Sequence, residues 1–588
     1  MNIINSITNL AMRLYALPVR LSLIHASRHP KQASARTLRS ILRVNENTVY
    51  GKEHHFSRLL WARNADQLFR LFEHAVDASD YEAFRPYVER HKEGEPNVLI
   101  PDKPIMYATT SGTTSKPKFI PISARYMRKV YSRMSRMWIW TVVTHRPHWQ
   151  DGKLFQSVSK VIEGYAPDGT VTGSVSGLTQ KKIPGFIRKK YTIPACVNDI
   201  PDYTARYYAI MRLGVANDIT FIVTANPSTM LEFAKAAVDH FDEYIEDIEK
   251  GTLSEKYDIP AEVREEILRG IKPDPKRAEF LRRVKAEHPE PQFKDFWPNL
   301  QFLNTWKCGN TKIAADKVAA MIPEQTYYQE IGFAASECRF GLVLDDTIDT
   351  ILFPNMNYYE FVEESDMESE HPRFYRLHEL KKGVRYCIYV TTYSGLYRYN
   401  MHDMVEVGGF FKTTPKIHLV QKVNGIVSIT GEKLYEKQFI DAVHEAEEQT
   451  GRKVNFFIGF ASPENACYDF YYEFADDETS KDQASDFTIQ VDNNLKAMNV
   501  EYKTKRDSMR LKMPQTNVLY PNSYEMFKRL SLKAGGRDGQ FKLVLLLQDR
   551  VRQIRINRLV KKDTPKSKLE IRVPSIPNPF SRKRKNKS

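Results

Sequence analysis

Between residues 100 and 425, short β-rich runs alternate with helical patterns, and this alternation restricts the chain to a layered α/β architecture. The runs at 219–224, 348–353 and 386–391 carry the branched and aromatic side chains that suit strands. Residues 229–250 read as an amphipathic helix and 262–287 as a highly charged one. Around 423–425 a linker-like turn precedes a second unit. That unit holds a strand at 426–430, a helix over 436–450, strands near 455–460 and 470–474, and an end near 547–549. A chain of 588 residues exceeds one compact core. The expected organisation is a basic segment over 1–36, a large N-terminal α/β domain with mixed sheets and helices over 37–423, a smaller C-terminal α/β domain over 424–560, and a basic disordered tail over 561–588.

Composition narrows the function classes. The formal net charge is +15, but residues 551–588 carry thirteen Lys or Arg against two acidic groups, which leaves only +4 for residues 1–550. The basic balance therefore belongs to a tail, and a whole-surface nucleic-acid footprint is not expected. Five scattered cysteines with no CxxC pair argue against a disulfide framework and a zinc site, and fit a reducing, cytoplasmic setting. No window of eighteen apolar residues is present, so no membrane-spanning helix is expected.

The first 45 residues hold seven Lys or Arg and no acidic residue. Within them Ile3, Ile7, Leu10, Leu14, Leu17, Leu21 and Ile24 recur at spacings of four and three, one face of a helix that Pro18 is expected to interrupt. Three readings fit this segment: a helix packed on the main domain, a peripheral membrane-surface helix, or a transit peptide.

The densest chemical signal is Thr109-Thr110-Ser111-Gly112-Thr113-Thr114-Ser115-Lys116-Pro117-Lys118. A loop of small hydroxyl residues presents N–H and O–H groups to phosphate oxygens, and a lysine neutralises their charge. It is not the GxxxxGK[ST] pattern. Two further stretches follow in order, Phe333-Ala334-Ala335-Ser336-Glu337 and Gly395-Leu396-Tyr397-Arg398-Tyr399 leading to Asp403. With Phe296-Trp297-Pro298-Asn299-Leu300 and Gly535-Gly536-Arg537-Asp538-Gly539-Gln540-Phe541-Lys542, this ordered set resembles the auxin-responsive acyl-acid amido synthetase family, from about Thr37 to Asp549.

The resemblance implies an adenylate-forming enzyme that uses ATP and Mg²⁺ to activate a carboxylic acid and passes the acyl group to an amino acid or other amine. It implies that Ser111, Gly112, Thr113, Thr114 and Lys118 hold the β- and γ-phosphates, with residues Phe333, Ala334, Ala335 and Ser336 beside the nucleotide. Glu337 would be the Mg²⁺ ligand and Asp403 the ribose partner. Lys433 and Lys542, on a mobile C-terminal domain, would join Lys118 and Glu337 in catalysis by stabilising developing phosphate charge. Gly173, Ser174, Val175, Ser176, Gly177 and Asn226 would lie near the substrates, and residues 306–309 would line the main cleft. The match departs at Ser115 and His402, where glycine is common, and at Leu543-Val544, where Pro-Arg is usual; none of these removes a charged catalytic group. His402 itself suits a structural role better than that of a general base. Two alternatives remain open on the sequence: a ligase with a thiol acceptor such as coenzyme A, and a non-catalytic, membrane-associated binding protein.

Overall fold

The computed structural model describes residues 3–561 apart from 111–116, 157–161, 176–188, 309–310, 368, 423–425, 477–478, 525, 528–529 and 531–543. The linker-like turn at 423–425 and the tail beyond 561 thus lie outside the described residues.

The chain opens on helices, of which the longer ones are α1 (Ile3–Arg28), α2 (Pro30–Asn45), α3 (Ala65–Ala75) and α4 (Tyr81–Lys92). α1 corrects the sequence reading twice. It runs unbroken through Pro18, which stands on the exposed side. Packing along the opposite face offsets the hydrogen bond the proline removes. Moreover, α1 packs on the main domain through Met12, Ala16, Val19 and Leu23, not through the stripe of larger residues. Asn9 and Arg13 tie it down by donating to the carbonyls of Pro147 (2.8 Å) and Val143 (2.9 Å) at the end of α5 (Ser132–His145). Ile7, Leu10, Leu14 and Leu21 point outward and remain 56–63% exposed. No described helix is long and apolar enough to cross a membrane.

The first eight strands are β1 (Met106–Thr110), β2 (Lys118–Ile122), β3 (Lys153–Gln156), β4 (Gly164–Tyr165), β5 (Val171–Gly173), β6 (Ile219–Val223), β7 (Phe302–Thr305) and β8 (Tyr327–Glu330). They form two four-stranded sheets, ordered β2-β1-β5-β4 and β3-β6-β7-β8. The second sheet is parallel throughout, as its helical crossovers require. Those crossovers are α6 (Tyr203–Val215), α7 (Pro227–Asp239), α8 (Phe241–Lys250), α9 (Ala261–Gly270), α10 (Pro275–Glu287) and α11 (Lys312–Met321).

Both long helical patterns of the sequence split in two. The 229–250 pattern breaks at His240, which leaves helical geometry with φ −125° and meets the Tyr257 hydroxyl at 3.0 Å. The 262–287 pattern breaks at 271–274, where Pro273 stops one helix while Asp274 caps the next by accepting from Arg277 N (3.0 Å) ahead of Pro275. The stretch 296–300 serves the fold: Trp297 is fully buried and donates to the Gly214 carbonyl at 3.1 Å.

A seven-stranded sheet follows, made of β9 (Gly341–Leu342), β10 (Thr350–Leu352), β11 (Tyr358–Glu363), β12 (Phe374–Arg376), β13 (Arg385–Thr391), β14 (Tyr399–Phe411) and β15 (Thr414–Lys422), in the order β12-β11-β13-β14-β15-β10-β9. Its pairs are antiparallel, and Tyr358, Phe361 and Ile388 share a core with Leu38, Phe69 and Phe72 from the opening helices.

Beyond residue 425 lie the short pair β16 (Ile426–Val427) and β17 (Leu434–Tyr435), then α12 (Glu436–Thr450), β18 (Val454–Ser462), β19 (Cys467–Phe474), α13 (Lys481–Met498), α14 (Val500–Asp507), β20 (Gln515–Val518), β21 (Leu546–Leu547) and α15 (Arg550–Ile556). The sheet order is β20-β19-β18-β21. Phe439, Tyr472, Phe487 and Val491 fill the core between this sheet and α12 and α13. The fold runs past the end near 547–549 that the sequence suggests, because Ile556 and Leu559 cover a second apolar cluster and Leu519 bridges Val560.

Candidate active site

Lys118 opens β2, where antiparallel pairing sets it opposite Thr110 at the end of β1. A hairpin of this kind brings both ends of the intervening loop to one point. The Lys118 side chain is buried, with its ammonium 3.3 Å from the Tyr399 hydroxyl and 3.4 Å from that of Tyr435. Burial pushes it down to about 8, opposed by the attraction of Glu337 and reinforced by the repulsion of Lys433. A buried amine held between two hydroxyls is suited to receiving an anion.

Glu337 arrives from the other end of the cleft. At the close of β8 the buried carboxyl of Glu330, pushed up to about 7 by burial, accepts from Lys307 N and from Gly332 N (2.9 Å) and turns the chain. Gly332 is needed there, since it has φ +98° and a β-carbon on it would stand 2.9 Å from Leu342 Cα. Phe333 then stacks on Phe340 with ring centres 4.1 Å apart, and Ala335 N donates to Cys338 O at 2.8 Å. These contacts present Glu337, almost fully buried, to the Lys433 ammonium at 3.1 Å.

Lys433 lies between β16 and β17, at the start of the C-terminal domain. Its loop is held by Glu432, whose carboxylate accepts from Ile429 N, Thr430 N, the Thr430 hydroxyl and the Tyr468 hydroxyl at 2.7–2.9 Å. Burial opposes the Lys433 charge, yet Glu337, Glu501, the Tyr435 hydroxyl and Asp403 outweigh it and raise its proton affinity. Asp403, on β14, is buried within reach of the same ammonium's field. Thus Lys118, Glu337, Lys433 and Asp403, up to 315 residues apart in the chain, converge on one cleft between the domains.

Other sequence candidates take distinct places. Gly173 pairs with Ala108 beside the strand leading into the phosphate loop, Ser174 follows it, and Val175 is buried in the main core. Asn226 caps α7 by accepting from Ser228 N at 2.9 Å and donates to the Thr430 carbonyl of the C-terminal domain. Trp306 donates from its indole to the Gly332 carbonyl at 3.2 Å, so it braces the turn before Glu337. His402 engages Asp80 at 2.7 Å, in keeping with a structural role. Ser111, Gly112, Thr113, Thr114, Ser176, Gly177 and Lys542 lie outside the described residues, while Ala334 and Ser336 are half-buried in the turn that leads to Glu337.

Three further contributors complete the cleft, of which only Tyr399 lies in a motif of the sequence. Tyr399 and Tyr435 flank Lys118, and Glu501 of α14 locks the cleft by accepting from the Thr110 hydroxyl (2.6 Å) and from Lys433 N (3.0 Å). Among the described residues no three His, Cys, Asp or Glu side chains converge as a metal cage. The buried carboxylate of Glu337 is nonetheless the kind of protein donor that suits Mg²⁺, which takes its remaining oxygens from substrate phosphates and water.

The GH3 family N-terminal domain matches residues 21–327, the GH3 family central domain 350–422 and the GH3 family C-terminal domain 437–551. The chain is 26% identical over 470 residues to the probable indole-3-acetic acid-amido synthetase GH3.1 of Arabidopsis thaliana, covering 73% of this chain and 77% of that protein. It is 24% identical over 557 residues to the Arabidopsis thaliana indole-3-acetic acid-amido synthetase GH3.4, covering 88% and 89%. Its fold is similar to that of the solved GH3.15 acyl acid amido synthetase, with a TM-score of 0.61 at 20% identity over 93% of this chain and 97% of that one.

Proposed function

Because the chain belongs to the GH3 family, we propose that it is an ATP-dependent ligase that adenylates a carboxylic acid and transfers the acyl group to an amino acid or other amine. The observation that carries this reading is the convergence of Lys118, Lys433, Glu337 and Asp403 on one cleft, with Lys118 opening the strand that follows the Ser/Thr segment. In the first step a carboxylate oxygen attacks the α-phosphorus of ATP, the bond to the bridging oxygen breaks, and pyrophosphate leaves. Lys118 and Lys433 bring positive charge to a water-poor cleft where negative charge develops, which is the largest contribution such a site makes. Asp403 is of the right type to accept from ribose hydroxyls. In the second step an amine nitrogen attacks the acyl carbonyl, AMP departs and the amine proton is released. Neither step needs a protein nucleophile; positioning and charge suffice. Glu337 would hold Mg²⁺, whose role when bound is to neutralise phosphate charge.

The acceptor class is checked by product analysis. With ATP, a competent acid and a mixture of amino acids and coenzyme A, the expected product is an N-acyl amino acid with AMP and pyrophosphate. Formation of acyl-coenzyme A alone would replace the amine with a thiol.

A second reading concerns where the enzyme works. The outward face of α1 joins Ile7, Leu10, Leu14 and Leu21 in an unpartnered apolar stripe bordered by Arg13 and Arg20, in a segment with no acidic side chain before Glu46. An anionic lipid surface complements both its apolarity and its charge. A second copy would instead bring two arginine-edged stripes together with no acid to pair. The expected result is co-sedimentation with phosphatidylcholine vesicles only when phosphatidylserine is included. Leu10→Ser and Leu14→Ser should each weaken it roughly tenfold, as loss of about 1.5 kcal/mol of apolar burial implies. Concentration-dependent dimerisation without vesicle binding would contradict it.

A further inference from the structure

The seam between the two domains holds a pair of cations that adenylation leaves unused. Lys505 lies on α14, and Arg510 follows just beyond that helix. The Lys505 ammonium and the Asn226 amide nitrogen stand 3.6 and 3.4 Å from the point a β-carbon on Gly431 would occupy, so they converge over bare backbone. Gly431 has φ +97° and precedes the Glu432-held loop that carries Lys433. Arg510 donates to the Ser508 hydroxyl at 2.8 Å and reaches the Thr229 hydroxyl of α7 at 3.4 Å.

The two carboxylates nearest Lys505 are already committed. Glu432 accepts from four donors of its own loop and strand, and Glu501 from Thr110 and Lys433 N. No described residue makes an ion pair with Lys505. Burial and then Arg510 push its ammonium down to about 7, against the pull of Glu432 and Glu501. Glu232 of α7 lies in the field of Arg510, so the shortfall of negative charge falls on Lys505, where a bound anion would offset the cost of burial and of the neighbouring guanidinium. The position is also specific: it lies two residues before Lys433, beside the adenylation cleft and not in it.

We propose that Lys505 and Arg510, facing Asn226 and Thr229 across the domain seam, form a carboxylate-binding site for the amino-acid acceptor. This rests on the amide-synthetase reading above. A free amino acid carries an α-carboxylate that needs charge pairing, and its amine is then directed toward the acyl-adenylate. Both halves of the site come from different domains, so acceptor binding and closure of the seam are one event.

The test compares Lys505→Met and Lys505→Arg with wild type at saturating ATP and acid. The acceptors are the free L-amino acid giving the fastest turnover and the same amino acid as its C-terminal amide. In Lys505→Met the KM for the free amino acid should rise roughly 10- to 150-fold, the range for a charge-assisted hydrogen bond, with a much smaller change in kcat. Lys505→Arg should restore most of the loss, and the KM for the amide should stay the same. Removing a desolvated charge in favour of an apolar side chain of similar length retains the fold. Equal KM changes for the free and amidated acceptors would overturn the proposal. So would a raised KM for the carboxylic acid in acid-driven ATP–pyrophosphate exchange with acceptor KM unchanged, which would assign the site to the acyl substrate. Absence of exchange in the wild type itself would instead overturn the amide-synthetase reading on which the proposal stands.

Discussion

Lys118→Ala and Glu337→Ala should each lower the kcat of ATP–pyrophosphate exchange by roughly 10²–10³-fold, the scale of a group aimed at developing charge in a preorganised site. Lys118 is buried beside the hydroxyls of Tyr399 and Tyr435 and makes no ion pair among the described residues, so its charge is available to the phosphates. Glu337 faces Lys433 at 3.1 Å, and its loss removes both the proposed Mg²⁺ ligand and the partner that keeps Lys433 charged and oriented. Asp403→Ala should act differently, raising the KM for ATP roughly 10- to 150-fold as a lost hydrogen bond to a charged group does. All three variants should fold, since these side chains stand at a cleft and not within an apolar core. Steady-state kinetics beside thermal unfolding checks this; near-wild-type exchange by folded variants would remove the cleft from the chemistry.

The second large effect is on stability. Glu360, on β11, is almost fully buried and bridges Arg376 (2.7 Å) and Arg398 (3.0 Å), two guanidiniums that are themselves buried. Arg398 further donates to the carbonyls of Glu73 (3.1 Å) and Val76 (2.8 Å), and Arg376 engages the Glu73 carboxylate, so this network ties the opening helices to the central sheet. Glu360→Ala leaves Arg398 buried without its carboxylate and Arg376 with Glu73 alone, and should cost about 3–5 kcal/mol. Lys250→Ala, which breaks an exposed i,i+4 pair with Glu246, should cost about 0.3–0.5 kcal/mol. Urea denaturation followed by tryptophan fluorescence compares the two; equal midpoints would mean that Glu360 carries no buried pair.

The sequence was most informative where chemistry and local pattern coincide. Lys118, Glu337 and Asp403 are legible because each sits in or closes a short ordered motif, Lys433 only through the family resemblance, and the structure gathers all four. Glu501 and Lys505 were not, because their roles arise only when α14 meets elements far away in sequence: Glu501 reaches Thr110 across 391 positions. The stripe of α1 shows a different limit. Periodicity reports that a face is apolar, but this helix has two such faces, and the smaller residues Ala16 and Val19 pack inward because they allow close approach to α5. The split helices were missed for a local reason, since helical spacing persists across His240 and Pro273 although the backbone does not.

The account turns on a free acyl-adenylate step. In ATP–pyrophosphate exchange with a panel of carboxylic acids and no amine, the account predicts that at least one acid supports isotope incorporation into ATP. It also predicts that adding an amino acid then diverts the adenylate to amide and AMP. Exchange that strictly required the amine would contradict it, because the acid would then never be activated on its own.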